Sequence, residues 1–413
     1  MVSMKFDDFT LVPSLQGFLA ESKITEPSEV QAQVIPKFLE KKSLMVVAQT
    51  GTGKTLSYAL PIVSILKQCE EKDGIYLKRG KPQAVIIAPT KELALQIHNV
   101  FKSISHHSKI RARLLVGGMN MGQINVLGRQ SFDVLVSTPN KLVSALKVLD
   151  LENLEFLVFD EADTLFEMGF QKDIEKVVRR VDYQETLISF FSATLPTSVE
   201  VFITEKFHKA GLEKIMLDSS HKVQQRIETF NMFVSDKEKL PLTHAFINKT
   251  AVGRGIVFAN QKNQVEEISA YLKEKNPQLK LITIHGDQEA ADRLKNIKKF
   301  TNGKAQVLVA SDVVARGIDV TDLQWVFNYN LPKNAEFYLH RSGRVGRMNK
   351  KGLVYNLITE RDAKLIALIN DSIKSQSSLN LDTIAKNISE VRKRKKKVKK
   401  KQKRVKITKR SRR

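Results

Sequence analysis

The sequence has few or none of the features that are typical of disulfide-bonded, membrane-spanning or secreted proteins. Its 413 residues include one cysteine, Cys69, which excludes an internal disulfide and favours a reducing compartment; we interpret it as a structural helix residue. No apolar stretch reaches the roughly 18 uncharged residues that a membrane span requires. Residues 1–8 lack the apolar core of a secretory signal and carry acids early. We therefore expect a cytoplasmic protein with no membrane partner.

The last 22 residues lack any acidic side chain. Residues 392–413 contain 16 Lys or Arg, in a chain whose net charge is +24. Such a segment cannot bury apolar surface, so we expect 376–413 to be a C-terminal extension with a disordered basic tail. Two roles stay open: a targeting signal, and a non-specific polyanion tether, which we favour because phosphate contacts release counterions. Since no aromatic residue interleaves the tail, base stacking there is not implied.

Apolar runs typical of buried strands alternate with helix-like stretches in two series, which predicts an α/β protein with two parallel-sheet domains in tandem. The first series comprises 44–48, 84–88, 112–116, 133–137, 156–159 and 187–191. The second comprises 256–259, 281–284, 306–310, 325–329 and 353–358. Polar residues between the series predict a linker at 211–222, with domain one at 1–210 and domain two at 223–375.

The first predicted strand leads into a loop that has the form A/G-x-x-x-x-G-K-[ST]. Its glycines would let backbone N–H groups approach phosphates at the N-terminus of the following helix. Lys54 would neutralise the terminal phosphates, and the Thr55 hydroxyl would ligate Mg²⁺. The residues expected to line the nucleotide here are Ala48, Gln49, Thr50, Gly51, Thr52, Gly53, Lys54 and Thr55.

A second acidic motif, Asp160-Glu161-Ala162-Asp163, follows the apolar run 156–159. Asp160 would hold Mg²⁺, directly or through water, and Glu161 would orient the attacking water. A glycine-rich turn or a group of acids alone is an ordinary loop feature. Together, in this order and after strands, they predict a chain that binds and hydrolyses a nucleoside triphosphate with Mg²⁺.

The ordered motifs resemble those of DEAD-box RNA helicases, the ATP-dependent RNA remodelling enzymes of helicase superfamily 2. Phe6 and Gln31 resemble the adenine-reading Q motif, which implies that Gln31 makes two hydrogen bonds to the adenine edge and Phe6 stacks beside the base. The resemblance covers nearly the whole chain except the tail. It implies two RecA-like domains, with ATP as the substrate.

The resemblance also implies roles for side chains outside the phosphate loop. Asp319 would meet the ribose or a nearby water, while Arg344 and Arg347 would act as catalytic arginine fingers delivered by domain two. The implied RNA-backbone contacts are Pro89, Thr90, Lys91, Gly117, Gly118, Thr138, Pro139 and Arg293. The implied coupling residues, which link the acids to RNA and to interdomain contacts, are Asp163, Ser192, Thr194 and His340.

Four sites, which comprise six residues, depart from the family pattern. They are Lys23-Ile24 in place of Gly-Phe, Lys91 in place of Arg, Asn140-Lys141 in place of Gly-Arg, and Ala290 in place of Gln. Lys91 keeps the charge but loses the bidentate fork of arginine. Asn140 is expected to preserve a left-handed turn. Because three departures touch the presumed RNA groove and none touches the phosphate chemistry, we expect intact ATP hydrolysis with an altered RNA grip.

The family resemblance implies RNA-dependent closure of two domains on ATP, with local, non-processive unwinding of RNA. We expect a monomer that binds single-stranded and duplex RNA without sequence specificity, and selects RNA through 2′-hydroxyl contacts. An ATP-dependent RNA clamp in a ribonucleoprotein would use the same residues, and a DNA helicase of the same superfamily is a further alternative. A bacterial cytoplasm is the favoured location; nucleus or nucleolus is the alternative in a eukaryote.

Deleting residues 392–413 should weaken RNA affinity and flatten its salt dependence while leaving the maximal ATPase rate nearly unchanged. The tail holds no catalytic motif, and its positive charges act through phosphate neutralisation. Four or five tail contacts would steepen the slope of log affinity against log salt by about four. RNA-binding titrations at several salt concentrations measure this slope, and identical slopes for the full-length and truncated proteins would contradict the tether role.

Overall fold

The computed structural model describes residues 4–49, 51–74, 78–152, 154–217, 227–312, 323–332, 335–346, 351–362 and 365–367. Thr50, Asp319, Arg347 and the extension 376–413 lie outside these residues. In the described part of the chain, no helix combines the length and the apolar character that crossing a membrane requires.

The N-terminal half contains a parallel sheet with helices on both faces. Its strands are β1 (Leu44–Val47), β2 (Ala84–Ile87), β3 (Ala112–Leu115), β4 (Val134–Ser137), β5 (Phe156–Asp160), β6 (Leu187–Ser192) and β7 (Glu213–Met216). Its helices are α1 (Ser14–Glu21), α2 (Glu29–Leu39), α3 (Lys54–Asp73), α4 (Lys91–Ser108), α5 (Met121–Gly128), α6 (Pro139–Ala145), α7 (Ala162–Glu167), α8 (Gln171–Val178) and α9 (Thr197–Lys206). Short 3₁₀ helices cover Phe6–Asp8 and His208–Ala210.

Strands β1, β2 and β4 consist of apolar runs that are buried along their whole length. Successive side chains of a strand point to opposite faces of the sheet. Accordingly Leu44 and Val46 lie in one hydrophobic core, while Met45 lies in the other. Continuous apolar strands therefore form a sheet that is covered on both sides, as parallel sheets require.

The strand order of this sheet, β3-β4-β2-β5-β6-β1-β7, explains where the acids and the phosphate loop meet. Strands β5, β6 and β1 are direct neighbours and run parallel. Their carboxyl ends therefore lie side by side, and ligands of such sheets bind at this edge. Three segments far apart in sequence are thereby placed together.

The second half forms another parallel sheet, so the predicted architecture of two α/β domains is confirmed. Its strands are β8 (Ile227–Phe233), β9 (Gly255–Ala259), β10 (Leu281–Ile284), β11 (Val307–Ser311), β12 (Trp325–Asn328) and β13 (Gly352–Ile358). Among the described residues the order is β10-β11-β9-β12-β13-β8. The helices are α10 (Lys239–Lys249), α11 (Lys262–Lys275), α12 (Ala290–Thr301) and α13 (Ala335–Ser342), and Asp236–Glu238 is a 3₁₀ helix.

The predicted linker at 211–222 needs a correction. Residues 213–216 form β7, which pairs in parallel with β1 and is the edge strand of the first sheet. Its charged, exposed side chains hide the strand from a hydrophobicity pattern, because only Ile215 among its four residues is buried. The first sheet thus extends beyond residue 210, and described chain resumes at β8.

Replacing Gly255 with Ala should destabilise domain two. A Cβ at Gly255 would lie 2.0 Å from the buried ring of Trp325, which itself packs edge-on against Phe246. Overpacking of this kind costs about 1–3 kcal/mol. Trp325 is the one tryptophan of the chain, so its fluorescence during urea unfolding reports on this domain.

Gly286→Ala provides the matched control for this measurement, because a Cβ there would meet nothing within 4 Å. It should leave the urea midpoint close to that of the unmodified protein. Equal midpoints for the Gly255 and Gly286 variants would show that the Trp325 ring has room to move.

Candidate ATP and RNA site

The phosphate loop connects β1 to α3 and is closed by its own side chains. Gly51 and Gly53 have φ values of 81° and 95°, which side chains with a Cβ rarely adopt. The Nζ atom of Lys54 donates to the carbonyl oxygens of Ala48 and Gln49, at 2.6 and 3.0 Å. Thr52 Oγ1 donates to the Gln49 oxygen at 2.8 Å. The lysine therefore lies over the loop, where a nucleotide phosphate would compete with these carbonyl groups.

Gln31 lies against the same loop rather than in an open pocket. Its Oε1 atom accepts from the Ser28 N–H at 3.0 Å, and its Nε2 atom donates to the Gly53 oxygen at 3.3 Å. The predicted pair of hydrogen bonds to adenine would replace these two bonds. Phe6 is buried in the domain-one core, edge-on to Phe9 with ring centroids 6.0 Å apart.

The acids follow β5 as predicted, and their two carboxylates differ in surroundings. Asp160 Oδ2 accepts from the Tyr58 hydroxyl at 2.8 Å, and its Oδ1 accepts from the Glu161 N–H at 2.9 Å. Glu161 has φ 48°, a left-handed conformation that costs a non-glycine residue on the order of 1 kcal/mol. Within the described chain, its buried Oε2 atom has no hydrogen-bond partner. Strain and an unpaired oxygen together mark Glu161 as a functional group.

Burial determines the protonation states of Asp160 and Tyr58. Desolvation raises the pKa of Asp160 to about 6, against the opposing attraction of the Lys54 ammonium. Burial, followed by the charge of Asp160, raises the pKa of Tyr58 well above its ordinary value of 10. Tyr58 therefore keeps its proton at neutral pH and acts as a donor to the carboxylate.

The structure brings the four predicted coupling residues together, with Ser192, Thr194 and His340 all contacting Asp163. Asp163 Oδ2 accepts from Thr194 Oγ1 at 2.7 Å and from the Thr194 N–H at 3.0 Å. The Asp163 N–H donates to Ser192 Oγ at 3.1 Å. His340 Nε2, from domain two, lies 3.3 Å from the same Asp163 oxygen. The acidic motif thus contacts both β6 and the other domain.

A second contact joins the domains at Arg293. Its Nη2 atom lies 3.1 Å from Glu92 Oε1, and the Glu92 side chain is only 8% exposed. Sequence reasoning assigned Arg293 to RNA; the structure places it in an ion pair across the domain boundary. The residue before Glu92 is Lys91, so the pair lies beside the predicted RNA groove.

The remaining predicted RNA residues cluster at the starts of two helices. Thr90 caps α4, accepting from the Leu93 N–H at 3.2 Å, and Thr138 and Pro139 begin α6. Between them, Gly117 and Gly118 form a turn where a Cβ on Gly118 would lie 3.7 Å from Lys91 Nζ. Pro89 is buried just before this cap. Hydroxyls, helix N-termini and lysines offer phosphate contacts that carry no base information.

Two of the departures from the family pattern have different structural consequences. Lys23 stands where glycine is usual and has φ 55°, so a lysine here adopts a conformation that favours glycine. Asn140 is the second residue of α6 and is not left-handed, so the expectation of a left-handed turn there was wrong. Lys141 Nζ donates to the Met119 oxygen at 3.0 Å, tying α6 to the glycine turn.

Arg341 is a central residue that sequence reasoning passed over. Its guanidinium donates to Asp312 at 2.5 and 2.7 Å, to Asn328 Oδ1 at 2.9 Å and to Asn260 Oδ1 at 2.8 Å. It thereby joins the ends of β9, β11 and β12 to α13. Arg344, three residues later, is also buried. The signal was present in the sequence, since Arg341 lies in the run His340-Arg341-Ser342-Gly343-Arg344, whose first and last residues were assigned roles.

A phosphate loop, paired acids and a hydroxyl-bearing strand end at one edge of a parallel sheet define a P-loop nucleoside triphosphatase. A second parallel-sheet domain that contacts the acidic motif defines the two-domain helicase class.

Comparisons with known proteins place the chain within this class. Residues 28–202 match the DEAD/DEAH box helicase model and residues 238–349 match the helicase conserved C-terminal domain. DEAD-box ATP-dependent RNA helicase 39 of Arabidopsis thaliana is 32% identical over 391 residues, 91% of this chain and 62% of that protein. The chain thus spans less than two thirds of the plant helicase. ATP-dependent RNA helicase RhlB of Shewanella woodyi is 32% identical over 374 residues, 90% of this chain and 83% of that protein.

Among solved structures, S. cerevisiae Dbp5 bound to RNA and ADP BeF3 has a TM-score of 0.78 at 24% identity, covering 89% of this chain and 93% of that one. At this identity the likeness shows the fold. The chain belongs to the DEAD-box family of ATP-dependent RNA helicases, which hydrolyse ATP.

Reversing Arg293 to Glu should favour the open arrangement of the domains, because it places two carboxylates together at a partly buried boundary. Removing one partner of a buried pair costs roughly 3–5 kcal/mol, and each 1.4 kcal/mol is a factor of about ten. RNA-stimulated turnover should therefore fall at least tenfold. Energy transfer between dyes attached to the two domains would measure closure directly.

The double variant Arg293→Glu with Glu92→Arg restores opposite charges and should recover closure. Lys176→Glu, which disrupts a surface pair with Asp173 inside domain one, serves as the control and should change little. If the double variant closes no better than Arg293→Glu alone, the ion pair does not determine closure.

Proposed function

We propose that the protein couples RNA-stimulated ATP hydrolysis to local, non-processive unwinding of RNA duplexes. The observation that carries the proposal is the carboxylate of Asp163, which contacts Thr194 in domain one and His340 in domain two. The acidic motif therefore changes its contacts when the domains separate. RNA that binds across both domains would favour the contacted state, and hydrolysis would depend on it.

The residues around Asp160 fit a bound Mg²⁺. In the described chain, no three His, Cys, Asp or Glu side chains form a metal cage. Mg²⁺ is ordinarily held by one or two protein oxygens together with phosphates and water, so such a sparse donor set suits it. Thr55 and Asp160 would hold the ion, which would neutralise charge on the terminal phosphates.

The other roles follow from position and chemistry. Lys54 would leave its carbonyl partners for the terminal phosphates, and the unpaired Glu161 Oε2 would accept a proton of the attacking water and orient it. Arg344 and Arg347 are proposed to stabilise developing negative charge, and Asp319 to contact the ribose side. Arg347 and Asp319 lie outside the described residues.

The proposal includes two further choices: the substrate is RNA rather than DNA, and the activity is unwinding rather than clamping. Separate experiments test each choice. A turn of glycines, two helices that each begin just after a threonine, and lysines suit a sugar-phosphate backbone, and 2′-hydroxyls would add the selectivity for RNA. RNA should stimulate ATP turnover where DNA of the same sequence does not. Multiple-turnover unwinding of a short RNA duplex tests the helicase against a clamp, for which single-turnover retention without strand release is expected.

Glu161→Gln should preserve ATP binding and trap RNA. The amide keeps the size of the side chain but cannot accept a proton from water, so hydrolysis should slow while closure persists. RNA dissociation, followed by fluorescence anisotropy, should be slow with ATP and fast with ADP.

Glu155→Gln is the matched control, because Glu155 immediately precedes the amino end of the same strand β5 and its side chain accepts from Gln83 Nε2 at 2.9 Å. Its RNA dissociation rates should equal those of the unmodified protein. Equal dissociation of RNA with ATP and ADP from Glu161→Gln would contradict the proposed role of Glu161.

A further inference from the structure

A buried tyrosine, Tyr58, contacts the carboxylate proposed to hold Mg²⁺. It lies one turn after Lys54 on α3 and is 0% exposed. Its hydroxyl donates to Asp160 Oδ2 at 2.8 Å. The ring packs against Phe191, with centroids 4.9 Å apart. The Tyr58 side chain thus connects the helix after the phosphate loop with the acidic motif and with the end of β6, where Phe191 directly precedes Ser192.

The direction of this hydrogen bond follows from counting protons. A phenol has one proton, and an ionised carboxylate can only accept, so Tyr58 gives its proton to Asp160.

The carboxylate of Asp160 is oriented in the same way. Its Oδ2 atom receives the Tyr58 hydroxyl and its Oδ1 atom receives the Glu161 N–H. Each carboxylate oxygen has two lone pairs, so one on each oxygen remains. The two donors fix the plane of the carboxyl group and leave it able to contact an ion or its water.

We infer that Tyr58 is a positioning residue that orients Asp160 toward the Mg²⁺ of the bound nucleotide. The inference rests on the proposed function and adds a specific role for a side chain behind the ligand. Partners that orient metal ligands typically contribute 10–100-fold to metal affinity or activity. Because Tyr58 is fully buried and bonded to Asp160, its hydroxyl should affect the nucleotide only through the metal.

Tyr58→Phe removes the hydroxyl and keeps the ring against Phe191. Affinity for the fluorescent nucleotide mant-ADP is measured in Mg²⁺ and in EDTA, and the ratio of the two affinities reports the contribution of the ion. This ratio should fall roughly tenfold or more in Tyr58→Phe, while the affinity in EDTA stays the same. Tyr338→Phe is the matched control: it is also fully buried, its hydroxyl contacts Asn356 in domain two, and its ratio should match the unmodified protein.

A double-mutant cycle with Asp160→Ala separates positioning from general packing. If Tyr58 acts through Asp160, Tyr58→Phe should lower the ratio less in the Asp160→Ala protein than in the unmodified one. Circular dichroism and thermal unfolding establish that each variant is folded before titration.

The outcomes distinguish the inference from the proposed function. A Tyr58→Phe ratio equal to that of the unmodified protein would overturn the positioning role and leave the function standing. An equal loss of affinity in Mg²⁺ and EDTA would also overturn it, since that indicates a distorted nucleotide pocket. Absence of Mg²⁺-dependent nucleotide binding in the unmodified protein would be a failure of the proposed function itself.

Discussion

The buried carboxylate of Asp163 is the interaction on which the arrangement of the two domains depends. A carboxylate that is 1% exposed must be compensated by hydrogen bonds, because an unpaired buried charge is strongly unfavourable. Thr194 supplies two donors from just beyond the end of β6, and His340 approaches the same oxygen from domain two. Separating the domains would remove His340 and let water in. The charge thus ties the state of the ATP site to the position of the second domain.

Parallel strand order makes that arrangement available. Strands β1, β5 and β6 are adjacent although they are separated in sequence by more than 100 residues at the extremes. Ala48 N–H donates to the Ser192 oxygen at 3.0 Å, so the phosphate loop begins with a bond to the strand that carries the coupling hydroxyls. A shift at Ser192 therefore reaches both the loop and the acids through hydrogen bonds, without a flexible connection.

Sequence patterns predicted each of eleven strands to within one residue at either end, because their apolar runs are long enough to signal burial. They missed β7 and β8, which are two of the four edge strands in the described part of the chain. An edge strand can expose one side, and the mixed sequences of these two, such as Glu213–Met216, carry no continuous apolar run. The linker prediction failed for the same reason.

Motif spacing was equally informative for the phosphate loop and the acids, whose roles follow from local chemistry. It was weaker wherever a role depends on a partner distant in sequence. Nothing near Arg293 indicates Glu92 as its partner, and nothing near Tyr58 indicates contact with Asp160, 102 residues away. At Asn140 the residue type was misleading: asparagine tolerates a left-handed backbone, but this residue lies in a helix. Such facts require the fold, because they arise from packing between elements rather than from local propensity.

The polar groups of the site fall into two kinds, and the division indicates how the site responds to a ligand. Lys54 and Gln31 satisfy their hydrogen bonds within the protein, on loop carbonyls that a nucleotide would displace. Binding therefore exchanges existing bonds for new ones, and the gain for these groups is modest. Glu161 Oε2 is buried without a partner in the described chain, and its residue is held in a left-handed conformation. A water molecule placed between Glu161 and a terminal phosphate would satisfy that oxygen, so the largest relief accompanies formation of the reactive arrangement rather than nucleotide binding alone.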